Sequence, residues 1–201
     1  MVPFILLMFL LSRWSGGIVD RYGPRRPLIL GPIVACVGFA LLARPSVGGT
    51  YWTTFFPALV VLGLGMAVSV APLTTAVMNS VPDKYVGTAS GINNAASDSA
   101  DVLAIACFGI LMVAVFNHHL SPQLAQLNLP PELRQSVADQ QRMLAAIKVP
   151  NSVDVALRAR IHQSVDESFV TGFRIVALIS SVLALLAAGT AWSLIGRDKE
   201  T

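Results

Sequence analysis

The chain has 201 residues, of which 54% are hydrophobic and 12% charged, and its formal net charge is +3. Soluble domains carry about 25% charged residues, so this chain has too little charge to cover a soluble globule. Its cations are scattered between apolar blocks and do not cluster on one polar face, which excludes a nucleic-acid-binding domain. The composition therefore predicts an integral membrane protein.

Five apolar segments are long enough to cross a bilayer as helices, which takes about 20 residues. They comprise residues 2–19, 27–43, 51–78, 87–116 and 169–195. Each segment is longer than a barrel strand and lacks the alternation of apolar and polar residues that a barrel requires. We therefore predict an all-α integral membrane protein with about five transmembrane helices.

Positive charge in the short connections predicts the orientation of these helices. The connections after the first, third and fifth segments carry most of it, through Arg21, Arg25, Arg26, Lys84, Arg197 and Lys199. Because lysine and arginine mark the cytoplasmic side, these connections and the C-terminus are predicted to lie in the cytoplasm, with the chain in the inner or plasma membrane. The segment 117–168 is then predicted to lie outside.

This outer segment contains two helix patterns. Pro130 and Pro131 suit the first turn of one helix, and Asn151 or Ser152 suits the N-cap of another. Apolar residues follow each start at helical spacing, namely Leu133, Val137, Leu144 and Ile147 in the first and Val153, Leu157, Ile161 and Val165 in the second. We predict two short amphipathic helices, which either pack as a cap or bind a partner.

The predicted organisation has three parts. Residues 1–116 hold four transmembrane helices with a basic cytoplasmic loop at 16–26, and residues 117–168 form the extracytoplasmic segment. Residues 169–201 hold the last transmembrane helix and a cytoplasmic tail. Cys36 and Cys107 lie far apart inside apolar segments, which favours ordinary buried thiols over a disulfide or a metal site.

Two stretches of the chain resemble a known family. The stretch GGIVDRYGPRR, at residues 16–26, resembles the loop that joins the second and third helices of each six-helix half in the major facilitator superfamily. The matching residues are Gly17, Asp20, Arg21, Gly23, Arg25 and Arg26, and Pro24 moves the basic pair one place along. The stretch APLTTAVMNSVPDKYVGTASGINNA, at residues 71–95, is similar to a late part of the fourteen-span multidrug:proton antiporters in this superfamily.

The resemblance implies a partial major-facilitator bundle, comprising about helices two to six of a C-terminal half. It implies part of a secondary active transporter that exports drugs or other small molecules in exchange for protons. Alternating access in such carriers needs two halves, so we expect the chain alone to be inactive. Two alternatives stay open, namely a half-size transporter that works as a homodimer and a non-transporting scaffold that binds a partner through segment 117–168.

The expected partners follow from the same resemblance. They are membrane lipid, together with either the missing N-terminal half or a second copy of the chain. A complete transporter would also bind its small-molecule substrate and protons. We expect no nucleic acid and no cofactor.

Asp98 and Asp101 are the strongest candidates for chemistry. Both lie inside the fourth predicted span, and their i, i+3 spacing puts both carboxylates on one helical face. An aspartate at the centre of a membrane helix costs about 2.5–3.5 kcal/mol, so the two should face a cavity, a partner or each other. Repulsion between them favours retention of a proton, which proton coupling requires. The family pattern has a basic residue near Asp98 and a small one near Asp101, so both acids depart from it. The alternative that the two acids have no function therefore stays open.

Other residues of these two stretches are predicted to contact a substrate or protons, with helix packing as the alternative. They are Asn93, Asn94 and Ser97 in the fourth span and Met66, Ser69, Thr74 and Thr75 in the third. The basic loop is predicted to act as a conformational switch through its six matching residues. His118 and His119 are adjacent, so they point about 100° apart on a helix and predict no metal site. The chain shows no catalytic set, and we predict that it is not an enzyme.

Overall fold

The computed structural model describes residues 23–127, 129–150 and 153–195. Its helices are α1 (Arg25–Leu42), α2 (Phe56–Asn79), α3 (Val86–Gln126), α4 (Pro131–Asp139) and α5 (Val155–Leu194). A π-helical turn, Tyr51–Phe55, runs directly into α2, and 3-10 turns lie at Asp83–Tyr85 and Gln141–Ala146. No strand occurs in these ranges. The predicted all-α class is confirmed.

Four of these helices are long and apolar enough to cross a membrane, namely α1, α2, α3 and α5. The predicted span at 2–19 lies outside the described residues. The ends of α1 and α2 agree with the predicted spans to within a few residues. By contrast, α3 has 41 residues and α5 has 40, so both extend well beyond the predicted spans at 87–116 and 169–195.

The extra length has a simple cause in the apolar pattern. Phe116, Leu120 and Leu124 continue the helical spacing of α3 past its predicted end, and all three are buried. Likewise, the second amphipathic pattern of the outer segment is the first part of α5 and not a separate helix. Its N-cap is Asp154, whose Oδ2 accepts hydrogen bonds from the backbone N–H groups of Ala156 (3.0 Å) and Leu157 (3.2 Å). The predicted caps, Asn151 and Ser152, lie outside the described residues.

The described residues form two compact units, which we treat separately. The first comprises residues 23–44, 50–103 and 177–195, and the second comprises residues 45–49, 104–127, 129–150 and 153–176. In the first unit, small residues bring α1 and α2 together. A Cβ built on Gly38 would lie 2.7 Å from the backbone N and Cα of Leu62, and one on Gly65 would lie 2.8 Å from Cα of Ala35. Such backbone contact is how membrane helices associate where burial from water offers no driving force.

Helix α5 packs antiparallel to α1 in the same unit. The Oγ of Ser181 donates to the backbone oxygen of Cys36 at 3.0 Å, and the Cys36 thiol is also 3.0 Å from that Oγ. Ala177, Ser181 and Ala188 are the buried residues of this part of α5, and their spacing places them on one face. Ser181, a small residue, therefore makes the contact of α5 with Cys36 of α1.

The second unit has its own apolar core. Nine buried residues from α3, α4, α5 and the connections between them contact one another, namely Phe116, Leu120, Leu124, Leu129, Leu133, Val137, Ile147, Ile161 and Val165. Five of these belong to the amphipathic patterns of the outer segment. Leu144, also part of that pattern, is half-buried and has a positive φ of 54°, which is unusual for a non-glycine residue. The extracytoplasmic location of this unit stays a prediction.

Candidate functional site

The part of α3 that belongs to the first unit carries the two acidic candidates. With 100° per residue, Ser90, Asn94, Asp98 and Asp101 fall on one face of the helix. Asn94, Ser97, Asp98 and Asp101 are all exposed, as is every residue of 94–107. Neither aspartate forms a hydrogen bond or an ion pair with any described residue. The face therefore presents two carboxylates and an amide that have no partner in this part of the chain.

The other side of α3 lines a cavity with the end of α2. The cavity has a volume of about 480 Å³, and one side is formed by Val77 at the end of α2 and by Ser80, Val81 and Tyr85 in the connection to α3. Helix α3 contributes Thr88, Ala89, Ile92, Asn93 and Ala96, which lie on the side opposite to the aspartates. The structure thus separates Asn93, which is half-buried in this cavity, from its neighbour Asn94 on the acidic face.

The candidates on α2 use their hydroxyl groups within their own helix. Ser69 Oγ donates to the backbone oxygen of Gly65 at 2.8 Å. Thr74 donates in the same way to Val70 (3.2 Å), and Thr75 donates to Ala71 (3.0 Å). Ser69 also lies against α1, since a Cβ on Gly31 would collide with its Oγ. Thr74 is exposed, and Met66 and Thr75 are half-buried, so their contact with a substrate stays a prediction.

Only the end of the basic loop falls within the described residues. Gly17, Asp20 and Arg21 lie outside them. Gly23 has a φ of 70°, a left-handed conformation that explains why glycine occupies this position. Arg26 is exposed, and Arg25 Nη2 donates to the backbone oxygen of Trp192 at 3.0 Å. The loop motif thus continues into a contact with the last helix.

Sequence reasoning did not predict the contacts of two arginines. Arg25 was predicted as part of the conformational-switch loop, but its contact with the last helix was not predicted. Arg174, in the second unit, was not singled out, and its Nε and Nη2 both donate to the backbone oxygen of Pro45, at 3.0 and 2.8 Å. Its signal was a cation inside a predicted span.

The two adjacent histidines are not arranged as ligands of one metal ion. The rings of His118 and His119 are perpendicular, with centroids 5.9 Å apart. Within the described ranges, no three histidine, cysteine, aspartate or glutamate side chains come together in a way that would hold a metal ion. The structure therefore offers these histidines no third ligand in the part of the chain that it describes.

Comparison with known proteins adds the following. The family model of the Major Facilitator Superfamily matches residues 1–105. The tetracenomycin C resistance and export protein of Streptomyces glaucescens is 24% identical over 197 residues, which cover 95% of this chain and 36% of that protein. The multidrug resistance protein Stp of Mycobacterium tuberculosis is 25% identical over 209 residues, covering 100% of this chain and 38% of Stp. The tetracycline resistance determinant of Streptomyces rimosus is 26% identical, with coverage of 100% and 61%. The chain thus spans little more than a third of the length of the first two relatives.

Proposed function

The chain belongs to the Major Facilitator Superfamily, and from this premise we propose that it forms part of the C-terminal bundle of a proton-coupled drug exporter. It is a multi-pass membrane protein of a transporter family, and we place it in the cell membrane with its C-terminus in the cytoplasm. The names of its relatives support export as the direction, since they describe resistance to tetracenomycin C with export, to multiple drugs and to tetracycline.

The exposed acidic face of α3 is the observation that carries this proposal. Asp98 and Asp101 lie about 18 and 22 Å along the helix from Val86, at 1.5 Å per residue. If α3 enters the membrane near Val86, both carboxyl groups lie inside a hydrocarbon core that is about 30 Å thick, with Asp98 close to its middle and Asp101 about 7 Å beyond it. Intramembrane acids face a water-filled cavity or a polar partner, because exposure to lipid costs several kcal/mol.

Carriers of this kind bind substrates near the bilayer midplane, between two bundles that rock against each other. We propose that the acidic face of α3 forms one wall of that pathway. Asp98 and Asp101 then carry the coupling proton, and Asn94 and Ser97 contact the substrate. A second helical bundle supplies the opposite wall, so that the chain by itself does not transport.

A homodimer through this same face is the less favourable alternative. A two-fold axis would bring four carboxylates together, two from each copy, and like charges at short range disfavour such an interface. The acidic face therefore favours a second bundle of different sequence. No contact of the described residues favours the scaffold hypothesis over transport.

A chimaera tests the proposal directly. The region of the Mycobacterium tuberculosis relative that aligns with this chain would be replaced by residues 1–201, and drug efflux driven by a pH gradient would be measured in proteoliposomes. We expect Asp98→Asn and Asp101→Asn each to reduce gradient-driven efflux at least tenfold, on the scale of lost proton-transfer groups. Asp139→Asn, an exposed acid of the second unit, is the matched control and should leave efflux unchanged.

Two results would contradict this proposal. The first is gradient-driven efflux at the unsubstituted rate in the Asp98→Asn, Asp101→Asn double variant, with equal amounts of protein in the membrane. The second is robust, uncoupler-sensitive efflux by the 201-residue chain alone, which would show that no second bundle is needed.

A further inference from the structure

The first turn of α1 has an unfavourable charge for its own helix. Arg25 and Arg26 are its first two residues, and the turn contains no acidic side chain. The N-terminal end of a helix carries a partial positive charge, so arginine is disfavoured there and aspartate or glutamate is preferred. Pro24, which precedes the helix, provides no side-chain cap. Local preference therefore does not explain Arg25.

The last turn of α5 lacks the basic residue that a helix C-terminus favours. It carries a partial negative charge and carbonyl groups without helical donors, which a basic residue would satisfy, yet this turn contains none. Arg25 supplies the missing cation, since its Nη2 donates to the backbone oxygen of Trp192, 3.0 Å away and two residues before the end of α5 at Leu194. Nε of Arg25 is also buried, and it has no hydrogen-bond partner among the described residues.

A second contact shows that this one belongs to a continuous helix pair. The Cys36–Ser181 pair lies eleven residues further along α1 and eleven residues back along α5. The two contacts are therefore the same number of residues apart on both helices, in opposite chain directions. This spacing is expected for two antiparallel helices that run side by side for about three turns. The contact of Arg25 therefore lies in register with a second contact between the same two helices.

We propose that Arg25 is a positioning residue that ties the first turn of α1 to the last turn of α5. Since α1 also packs backbone to backbone on α2, the tie joins α1, α2 and residues 177–194 of α5 into one group. Its consequence for transport rests on the proposed function, in which this group would move as a body while α3 lines the pathway. The tie itself requires no transport activity.

Hydrogen exchange of the 201-residue chain in lipid nanodiscs tests this tie. In Arg25→Gln, we expect the backbone amides of 188–194 and of the first turn of α1 to exchange about five- to tenfold faster, the scale of a charge at a helix end. Arg25→Lys keeps the charge but loses the planar fork, so it should recover most of the protection. Arg44→Gln is the matched control, because Arg44 is an exposed arginine just after the other end of α1. Equal exchange in Arg25→Gln and Arg44→Gln would overturn the proposal.

A rescue variant separates the tie from simple charge compensation. Leu194 is 81% exposed, so Leu194→Lys adds a cation to the last turn of α5 without disturbing packing. In the Arg25→Gln background, it should restore protection to α5 while the first turn of α1 still exchanges fast. Restoration at both helices, or at neither, would overturn the tie. Because efflux is not measured, failure here leaves the proposed function standing, and failure of the efflux test leaves the tie standing.

Discussion

Helices α1 and α3 are both apolar enough to cross a membrane, yet very different shares of their most apolar stretches are buried. In α1, 28% of the most apolar stretch is buried, against 6% in the helical segment Asp83–Gln126. Both contain glycines, but a Cβ on Gly38 of α1 would collide with the backbone of Leu62, whereas one on Gly91 of α3 would meet nothing within 4 Å. Small residues thus permit close approach but do not specify the neighbour.

The largest expected effect concerns the exposed stretch of α3, residues 94–107. Asp101→Leu should make membrane insertion of the α3 segment more favourable by up to about 3 kcal/mol, because an aspartate costs about 2.5–3.5 kcal/mol at the helix centre and leucine is favourable. The glycosylation of engineered sites on either side of the segment measures insertion. Asp83→Leu, in the exposed turn before α3, is the control and should change insertion much less. Reduced insertion of Asp101→Leu would show that the carboxyl group has a partner and would remove the contrast between α1 and α3.

The next effect tests the packed helix. Gly38→Leu should destabilise the chain by about 2–3 kcal/mol, the upper part of the range for overpacked sites, because the backbone of Leu62 cannot move aside. Gly91→Leu puts the same side chain into open space and removes a helix-weakening glycine, so its stability should stay within about 1 kcal/mol of the original. Unfolding in detergent, followed by circular dichroism, measures both. Similar losses at the two glycines would mean that the two helices are packed alike.

The smallest effect extends the comparison to helix ends, where α5 has a side-chain cap and α1 has none. Asp154→Ala should cost about 1 kcal/mol and speed hydrogen exchange in the first turn of α5, because two backbone N–H groups lose their acceptor. Asp166→Ala, an exposed acid inside the same helix, is the control. If the two variants exchange equally at residues 155–158, the cap of Asp154 contributes nothing to this helix end.

Periodicity and length were enough to predict the helical class and the four described spans, because both depend on the chain locally. They did not predict where α3 ends or where α5 begins, since the amphipathic pattern of Ile161 and Val165 fits a separate helix as well as a continuous one. The cap was predicted at Asn151 or Ser152, whereas Asp154, a residue of similar capping strength close by, makes the cap hydrogen bonds.

The hydrogen-bond partners of the candidate site residues could not be predicted from the sequence. A polar residue in a membrane helix satisfies its hydrogen bonds either within the helix or across an interface, and sequence does not distinguish the two. Ser69 is in contact with α1, while Asn94 and Asp101 are exposed and have no hydrogen-bond partner in the described ranges. The contact of Arg25 with Trp192 depended on the antiparallel register of α1 and α5, which joins positions far apart in the chain.

The hydrogen bonds of four hydroxyl groups in α2 and α3 limit the kinds of group that can pair with them. Ser69, Thr74, Thr75 and Ser99 each donate their proton to a carbonyl one turn earlier in their own helix. A hydroxyl that has given its proton offers a neighbour only lone pairs. Like the two carboxylates, each of these hydroxyl groups therefore acts as a hydrogen-bond acceptor towards a neighbour. Any molecule or helix that pairs with them must therefore bring the hydrogen atoms itself, through N–H, O–H or cationic groups.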